Sequence, residues 1–179
     1  MERSIIIAGF GGQGVILAGK ILAQAGMDHG LEVTWLPSYG PEMRGGTANC
    51  TVVLSDEAVG SPIVDEPTAL IAMNLPSLDK FEQTVASNGN IVVNRSLIER
   101  QVERSDVQAH YVDMNSIARE QVGSSRALNM VALGAYIKAS SAVPLKVVKE
   151  TMARSLRESG KEKFVDMNER ALDAGYQAV

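Results

Sequence analysis

Ten residues, 37–46, and Thr47 are all that separate two stretches with strand patterning, 33–36 and 48–55. A parallel crossover takes about a dozen residues or more and usually carries a helix, so these strands run antiparallel if they are neighbours. The connection itself is Ser38-Tyr39-Gly40-Pro41-Glu42-Met43-Arg44-Gly45-Gly46, with three glycines, a proline, a tyrosine, an acid and an arginine in nine positions. Gly40-Pro41 and Gly45-Gly46 are turn-forming pairs, so the backbone bends twice and presents Glu42 and Arg44 between the bends. Glycine also lets a backbone approach a ligand or another chain closely. The plainer alternative is a surface turn whose Glu42 and Arg44 pair only with each other, which contributes little.

The N-terminus supplies a second glycine loop. Ile5-Ile6-Ile7-Ala8 is a β-branched run, Gly9-Phe10-Gly11-Gly12-Gln13-Gly14 follows, and residues 15–27 read as helix. Strand, glycine loop and helix in that order can set an anionic group on free helix N–H donors. A dinucleotide site also needs an acid at the end of the second strand for a ribose hydroxyl. That strand runs into Leu36, Pro37 and Ser38, where no acid stands, which argues against nicotinamide or flavin. For each glycine the alternative is tight turn geometry with no ligand.

Further along, Asp56-Glu57 and Gly60-Ser61-Pro62 read as turns, with Ile63-Val64 pairing back as a hairpin arm. Residues 69–73 form an apolar strand stopped by Asn74 and Pro76, and Ser77 caps a helix to about residue 86. Strands at 91–93 and 110–112 alternate with helices at 96–102 and 116–122. This alternation predicts a single three-layer α/β/α domain over 1–179 with a mixed, mostly parallel sheet. From Ala127 the pattern is helical. The helix through Met130–Ile137 is apolar on nearly every face, so it is central to the domain or buried by another subunit; the isolated chain is expected to self-associate.

Composition excludes several roles. A net charge of −4 argues against nucleic acid or an anionic membrane as partner. No apolar run approaches the ~20 residues of a membrane span, and the N-terminus lacks the apolar core of a signal peptide, so a soluble, cytoplasmic chain is expected. Cys50 is the one cysteine; it can form no internal disulfide and no iron–sulfur cluster, which takes about four thiolates. It reads as a buried structural thiol. His29 and His110 have no second ligand at metal spacing. There is no phosphate loop of the G-x-x-x-x-G-K-[ST] type, no supported Ser/His/Asp set, and no Gly-Asp-Gly with a following asparagine pair, as found at thiamine pyrophosphate sites.

Taken together, the two loops resemble one family. Gly9-Phe10-Gly11-Gly12-Gln13-Gly14 and Ser38 through Gly46, continued by Thr47-Ala48-Asn49-Cys50 and by Ala72-Met73-Asn74-Leu75-Pro76-Ser77-Leu78-Asp79-Lys80-Phe81, look like the gamma subunit of 2-oxoacid:ferredoxin oxidoreductases. The Ser38-Tyr39-Gly40 form is closer to the 2-oxoglutarate and branched-chain types than to the pyruvate type. The resemblance implies a fold like domain III of pyruvate:ferredoxin oxidoreductase. It also implies a subunit inactive alone, packed over a thiamine pyrophosphate site held by alpha and beta subunits, with the clusters in a ferredoxin-like subunit and coenzyme A shared with the partners. On that reading Gly11, Gly12, Gln13 and Gly14 are backbone donors and close-packing positions. Tyr39, Glu42 and Arg44 order the interface or contact coenzyme A, and Asn74 is a further candidate at a strand end. A free-standing nucleotide-binding protein and a purely structural scaffold subunit are the other readings.

Overall fold

The β-branched run at Ile5–Ile7 favours extended backbone and becomes the strand from which the sheet grows in both directions. In the computed structural model, which describes residues 2–39 and 47–179, β1 (Glu2–Phe10) is followed by α1 (Val15–Asp28), β2 (Glu32–Tyr39), β3 (Thr47–Ser55), β4 (Ala69–Ala72) and α2 (Leu75–Phe81). Then come β5 (Asn90–Asn94), β6 (Gln108–Val112) and α3 (Met114–Ser116), which widens into a π-helical stretch, Ile117–Val122. α4 (Leu128–Ser140), α5 (Leu145–Glu158) and α6 (Val165–Gln177) complete the chain.

The strand order is β2-β3-β1-β4-β5-β6. β3 lies antiparallel between β2 and β1, with Val52 opposite both Trp35 and Ile5. β1, β4, β5 and β6 run parallel. β2 runs on to Tyr39, three residues into the connection read from sequence, and the sheet is mixed as expected.

Strand side chains alternate between faces, and β1 feeds two cores. Ile5 and Ile7 join α1, α4, α5 and α6 in one cluster with Cys50, Val52 and Leu54. Ile6 and Ala8 join Leu70, Leu78, Ile91 and Ile98 in the other, under α2. The three layers are unequal: four long helices cover one face, and one short helix with its flanking segments covers the other.

α4 settles its own ambiguity. Leu128 through Ile137 are all buried within this chain, and α6 packs directly on Gly134. The nearly all-round apolar surface that left a second subunit open is taken up internally, so this helix gives no ground for self-association.

Four expectations of local structure are corrected. Ile63-Val64 forms no hairpin arm; Ile63 is exposed, in a connection held by a turn in which Ser61 Oγ accepts from Ile63 N. Asn74, not Ser77, caps α2: its Oδ1 accepts from Ser77 N at 2.9 Å. Pro76 stays inside the helix because a first-turn N–H would have no helical partner to lose. α2 is also shorter than expected, ending at Phe81 before a 3₁₀ turn, Glu82–Thr84. No helix forms at 96–102, where Ile98 drops into the second core and a buried carboxylate takes up the backbone that follows.

Candidate functional site

β1 and β4 are parallel neighbours, yet the helices that follow them leave toward opposite faces: α1 joins one core and Leu78 of α2 the other. In open α/β sheets such a point leaves a crevice at the carboxyl ends of the strands, where ligands commonly bind. The glycine loop occupies this crevice.

Gln13 builds the loop. Its N–H donates to Phe10 O (3.1 Å), and its Oε1 accepts from Phe10 N (2.6 Å), so it closes the turn in both directions. Its Nε2 donates across the crevice to Met73 O (3.3 Å), just past β4. The same carbonyl accepts from Asn94 Nδ2 (3.1 Å), which also donates to Asn115 Oδ1 (2.8 Å). A chain of side-chain amides thus ties the loop to β4, β5 and α3. Gln13 is an anchor, with its amide turned into the sheet end.

Gly14 is the N-cap of α1 and adopts φ 75°, a left-handed conformation that side chains rarely take. Space forbids a side chain as well: a Cβ there would lie 2.6 Å from Asn129 Nδ2. Asn129, in the first turn of α4, donates from Nδ2 to Gly14 O at 3.2 Å. With glycine as cap, no described side chain caps the first N–H groups of α1, and no acid stands in its first turn. These donors are the orphan groups of any helix start.

The loop and the first turn of α1 form one wall of a cleft of about 300 Å³, and Ser38, Thr47 and Ala48 form the other. Phe10 and Leu17 line it while remaining 38% and 45% exposed. Beneath, Cys50 Sγ donates to Val15 O (3.6 Å). Burial pushes this thiol up to about 12, with a smaller opposing influence from Trp35 beside it. It stays protonated, as expected of a structural thiol. The described lining offers backbone donors, two hydroxyls and apolar area, and no general base or activated nucleophile. It is chemistry for holding a molecule rather than for breaking one.

The other hollows are differently placed. One of about 180 Å³ beside Arg3 and Tyr136 lies at the amino ends of β4 and β5. Another, between α1 and α5, is lined by Asp28, Thr151 and Arg154, which already pair with one another.

Of the residues singled out from sequence, Gly11, Gly12 and Gly14 line the cleft and Gln13 braces it. The backbone of Tyr39 ends β2 opposite Ala48. Glu42 and Arg44 lie outside the described residues. Asn74 is 1% exposed and is not among the cleft's lining residues; its Oδ1 caps α2 and its Nδ2 is buried without a hydrogen-bond partner among the described residues. Asn94, Asn115 and Asn129 escaped sequence reasoning. The signal for Asn129 was present: it is one polar residue inside the apolar run Leu128–Ile137, where each such residue needs a reason.

The fold and cleft together define an α/β domain built to bind at a strand-end crevice. Residues 4–178 match the family described as pyruvate ferredoxin/flavodoxin oxidoreductase, and the chain belongs to that family. It is 44% identical over 179 residues to the ketoisovalerate oxidoreductase subunit VorA of Methanothermobacter thermautotrophicus, covering 98% of this chain but 36% of that protein. It therefore spans about a third of the length of that relative. It is 34% identical over 185 residues to the 2-oxoglutarate synthase subunit KorC of Methanothermobacter marburgensis, covering all of this chain and 97% of that one. Among solved structures, the 2-oxoglutarate:ferredoxin oxidoreductase from Magnetococcus marinus, with 2-oxoglutarate, coenzyme A and succinyl-CoA bound, superposes with a TM-score of 0.88. The match is at 26% identity, over 99% of this chain and 31% of that one. The resemblance carried by the two loops holds.

Proposed function

We propose that this chain is the gamma subunit of a cytoplasmic complex that converts a 2-oxoacid and coenzyme A to an acyl-CoA and carbon dioxide while reducing ferredoxin. Its partners are alpha and beta subunits that hold thiamine pyrophosphate between them, and a ferredoxin-like subunit that carries the iron–sulfur clusters. The gamma domain packs over the thiamine site and helps to bind coenzyme A. The observation that carries this reading is the glycine-loop cleft, in a fold that matches an oxidoreductase whose structure holds coenzyme A.

Thiamine pyrophosphate supplies the carbanion chemistry when bound, and the protein around it supplies position and electrostatics. The contribution of this chain is binding and exclusion. The apolar cleft suits the uncharged arm of coenzyme A, and the free donors at the start of α1 suit an anionic group. The described lining contains no cation. Arg44, on the segment joining Tyr39 to Thr47, is the candidate for the phosphates, because a guanidinium presents donors in a planar fork. Glu42 and Tyr39 would order the subunit contact. Asn74 serves as a cap in this reading and drops from the coenzyme A contacts.

The test uses the complex purified with its partner subunits, assayed anaerobically by viologen reduction. Ser38→Trp fills the cleft from an exposed position without straining the backbone. It should raise the KM for coenzyme A about tenfold, equivalent to about 1.4 kcal/mol of binding, and leave the KM for the 2-oxoacid unchanged. An unchanged coenzyme A KM removes the cleft from the binding site. Turnover by the purified chain alone overturns the subunit reading itself.

A further inference from the structure

The α1 and α4 helices begin side by side, and one side chain serves both starts. Asn129 is 4% exposed, at the second position of α4. α4 runs on from a 3₁₀ turn, Ser125–Ala127, whose Ser125 O takes the Leu128 N–H, and Ala127 offers no side-chain cap to the N–H groups that follow. Asn129 Oδ1 accepts from Met130 N at 3.0 Å, while Nδ2 donates to Gly14 O at 3.2 Å. The two contacts fix the orientation of the amide, because a flip would set oxygen against the carbonyl and nitrogen against the N–H. Gly14 is the residue that needs holding. It is left-handed, it has no side chain to pack, and its carbonyl also accepts the first helical bond of α1, from Ala18 N at 3.0 Å.

We propose that Asn129 is the positioning residue of the coenzyme A cleft: it clamps Gly14 from behind and so sets the glycine loop and the first turn of α1 against the ligand. This rests on the reading of the cleft given above. Asn129 is not among the residues that line the cleft and acts only through Gly14. The amide is suited to the task because it both accepts and donates at one position. Leucine does neither. An aspartate accepts, which would keep Met130 N satisfied, but when ionised it has no proton to give to Gly14 O.

That asymmetry separates positioning from simple support. Asn129→Asp keeps the α4 cap and removes only the clamp, setting a carboxylate against a carbonyl. Asn129→Ser is too short for either contact and is the comparison variant. Both are assayed in the assembled complex beside Ser38→Trp, with KM for coenzyme A, KM for the 2-oxoacid, kcat and the thermal midpoint recorded for each. Asn129→Asp should raise the coenzyme A KM about tenfold or more, since a displacement on the order of an ångström is enough to disturb binding geometry. The 2-oxoacid KM should stay within about twofold; the thermal midpoint should fall, because a carboxylate then faces a carbonyl at a position 4% exposed, so the readout that identifies positioning is the split between the two KM values. A normal coenzyme A KM in both Asn129 variants, with Ser38→Trp impaired, overturns the clamp and leaves the cleft in place. A normal value in all three overturns the cleft and the clamp with it. If neither Asn129 variant assembles, the residue is structural and the proposal fails.

Discussion

Gly134 of α4 and Gly175 of α6 sit at one crossing, each beneath the backbone of the other helix. A Cβ on Gly134 would lie 2.1 Å from Leu172 O, and a Cβ on Gly175 would lie 1.9 Å from Val131 O. The atoms in the way are main-chain carbonyls, which cannot swing aside as a side chain would. Two helices with side chains at such a contact pack about 8–10 Å apart, and glycine on both sides lets them approach more closely.

Gly175→Ala should therefore destabilise the chain although alanine is the better helix former. Propensity would favour the change by roughly 0.8–1.0 kcal/mol. Forcing the helices apart costs typically 1–3 kcal/mol in a packed core, and more when backbone must move. The net loss expected is about 1–2 kcal/mol, read as a lower urea midpoint with an unchanged slope. A midpoint equal to or above that of the wild type would mean that the crossing has slack.

How much of this was legible follows from how local each cause is. The β1–glycine loop–α1 unit could be read because every cue lies within 28 residues of sequence. The antiparallel placement of β3 followed from loop length alone. The missing helix at 96–102 could not be read locally. Its apolar spacing suits a helix, but Ile98 is claimed by the second core, and the backbone after it is claimed by Glu82, which lies in another element. The cap of α2 is not decided locally, because Asn74 and Ser77 are both good capping residues and Pro76, which ends the strand pattern, is also at home in a first helical turn. At the candidate site the lining glycines were legible as glycines. The amides behind them, Asn94, Asn115 and Asn129, meet the loop only through the fold: Asn94 lies 21 residues from both Met73 and Asn115, and Asn129 lies 115 residues from Gly14, beyond the reach of any local window of sequence.

Asp28 gives a prediction in pH. At the far end of α1 its Oδ2 accepts from Thr151 Oγ1 and Arg154 Nη2, and its Oδ1 accepts from Gln24 Nε2. The Thr151 hydroxyl, with smaller help from Arg154 and Gln24 and against some desolvation, holds the carboxyl below its ordinary value. A carboxyl with a depressed folded-state value stabilises the fold above the unfolded-state value of about 3.9, and that stability is lost as pH falls through the folded-state value. Asp28→Asn should thus be less stable than wild type at pH 7, with the gap narrowing as pH drops below about 4. Urea unfolding of both proteins at pH 7 and pH 3 measures this. An equal gap at both values would show that ionisation of Asp28 contributes nothing.

The connection from β5 to β6 rests on Glu82, which is 2% exposed. Its Oε2 meets Arg100 Nη2 at 2.8 Å, and its Oε1 accepts from the backbone N–H groups of Glu103 and of Arg104 (3.4 Å). Arg100 also spans to Asp79 Oδ1 (2.7 Å), and Arg104 reaches back to Glu82 O and Gln83 O (3.4 Å each) and to Val85 O. A carboxylate here does what a helix would otherwise do, giving acceptors to backbone donors that have no ladder or helical partner. Removing it strands those donors and leaves the guanidinium only its bonds to Asp79 Oδ1 and Gln101 O. Breaking a buried ion pair from one side costs about 3–5 kcal/mol, against about 0–1 kcal/mol for an exposed pair. Glu82→Ala should fall toward the upper range, in urea unfolding, and should speed amide exchange at 103–104 ahead of the sheet. Glu82→Gln, which keeps an acceptor oxygen, should recover part of the loss, because the backbone bonds need an acceptor rather than a charge. A cost under about 1 kcal/mol for Glu82→Ala would place this residue with the surface pairs and leave the ordering of the β5–β6 connection to Ile98 alone.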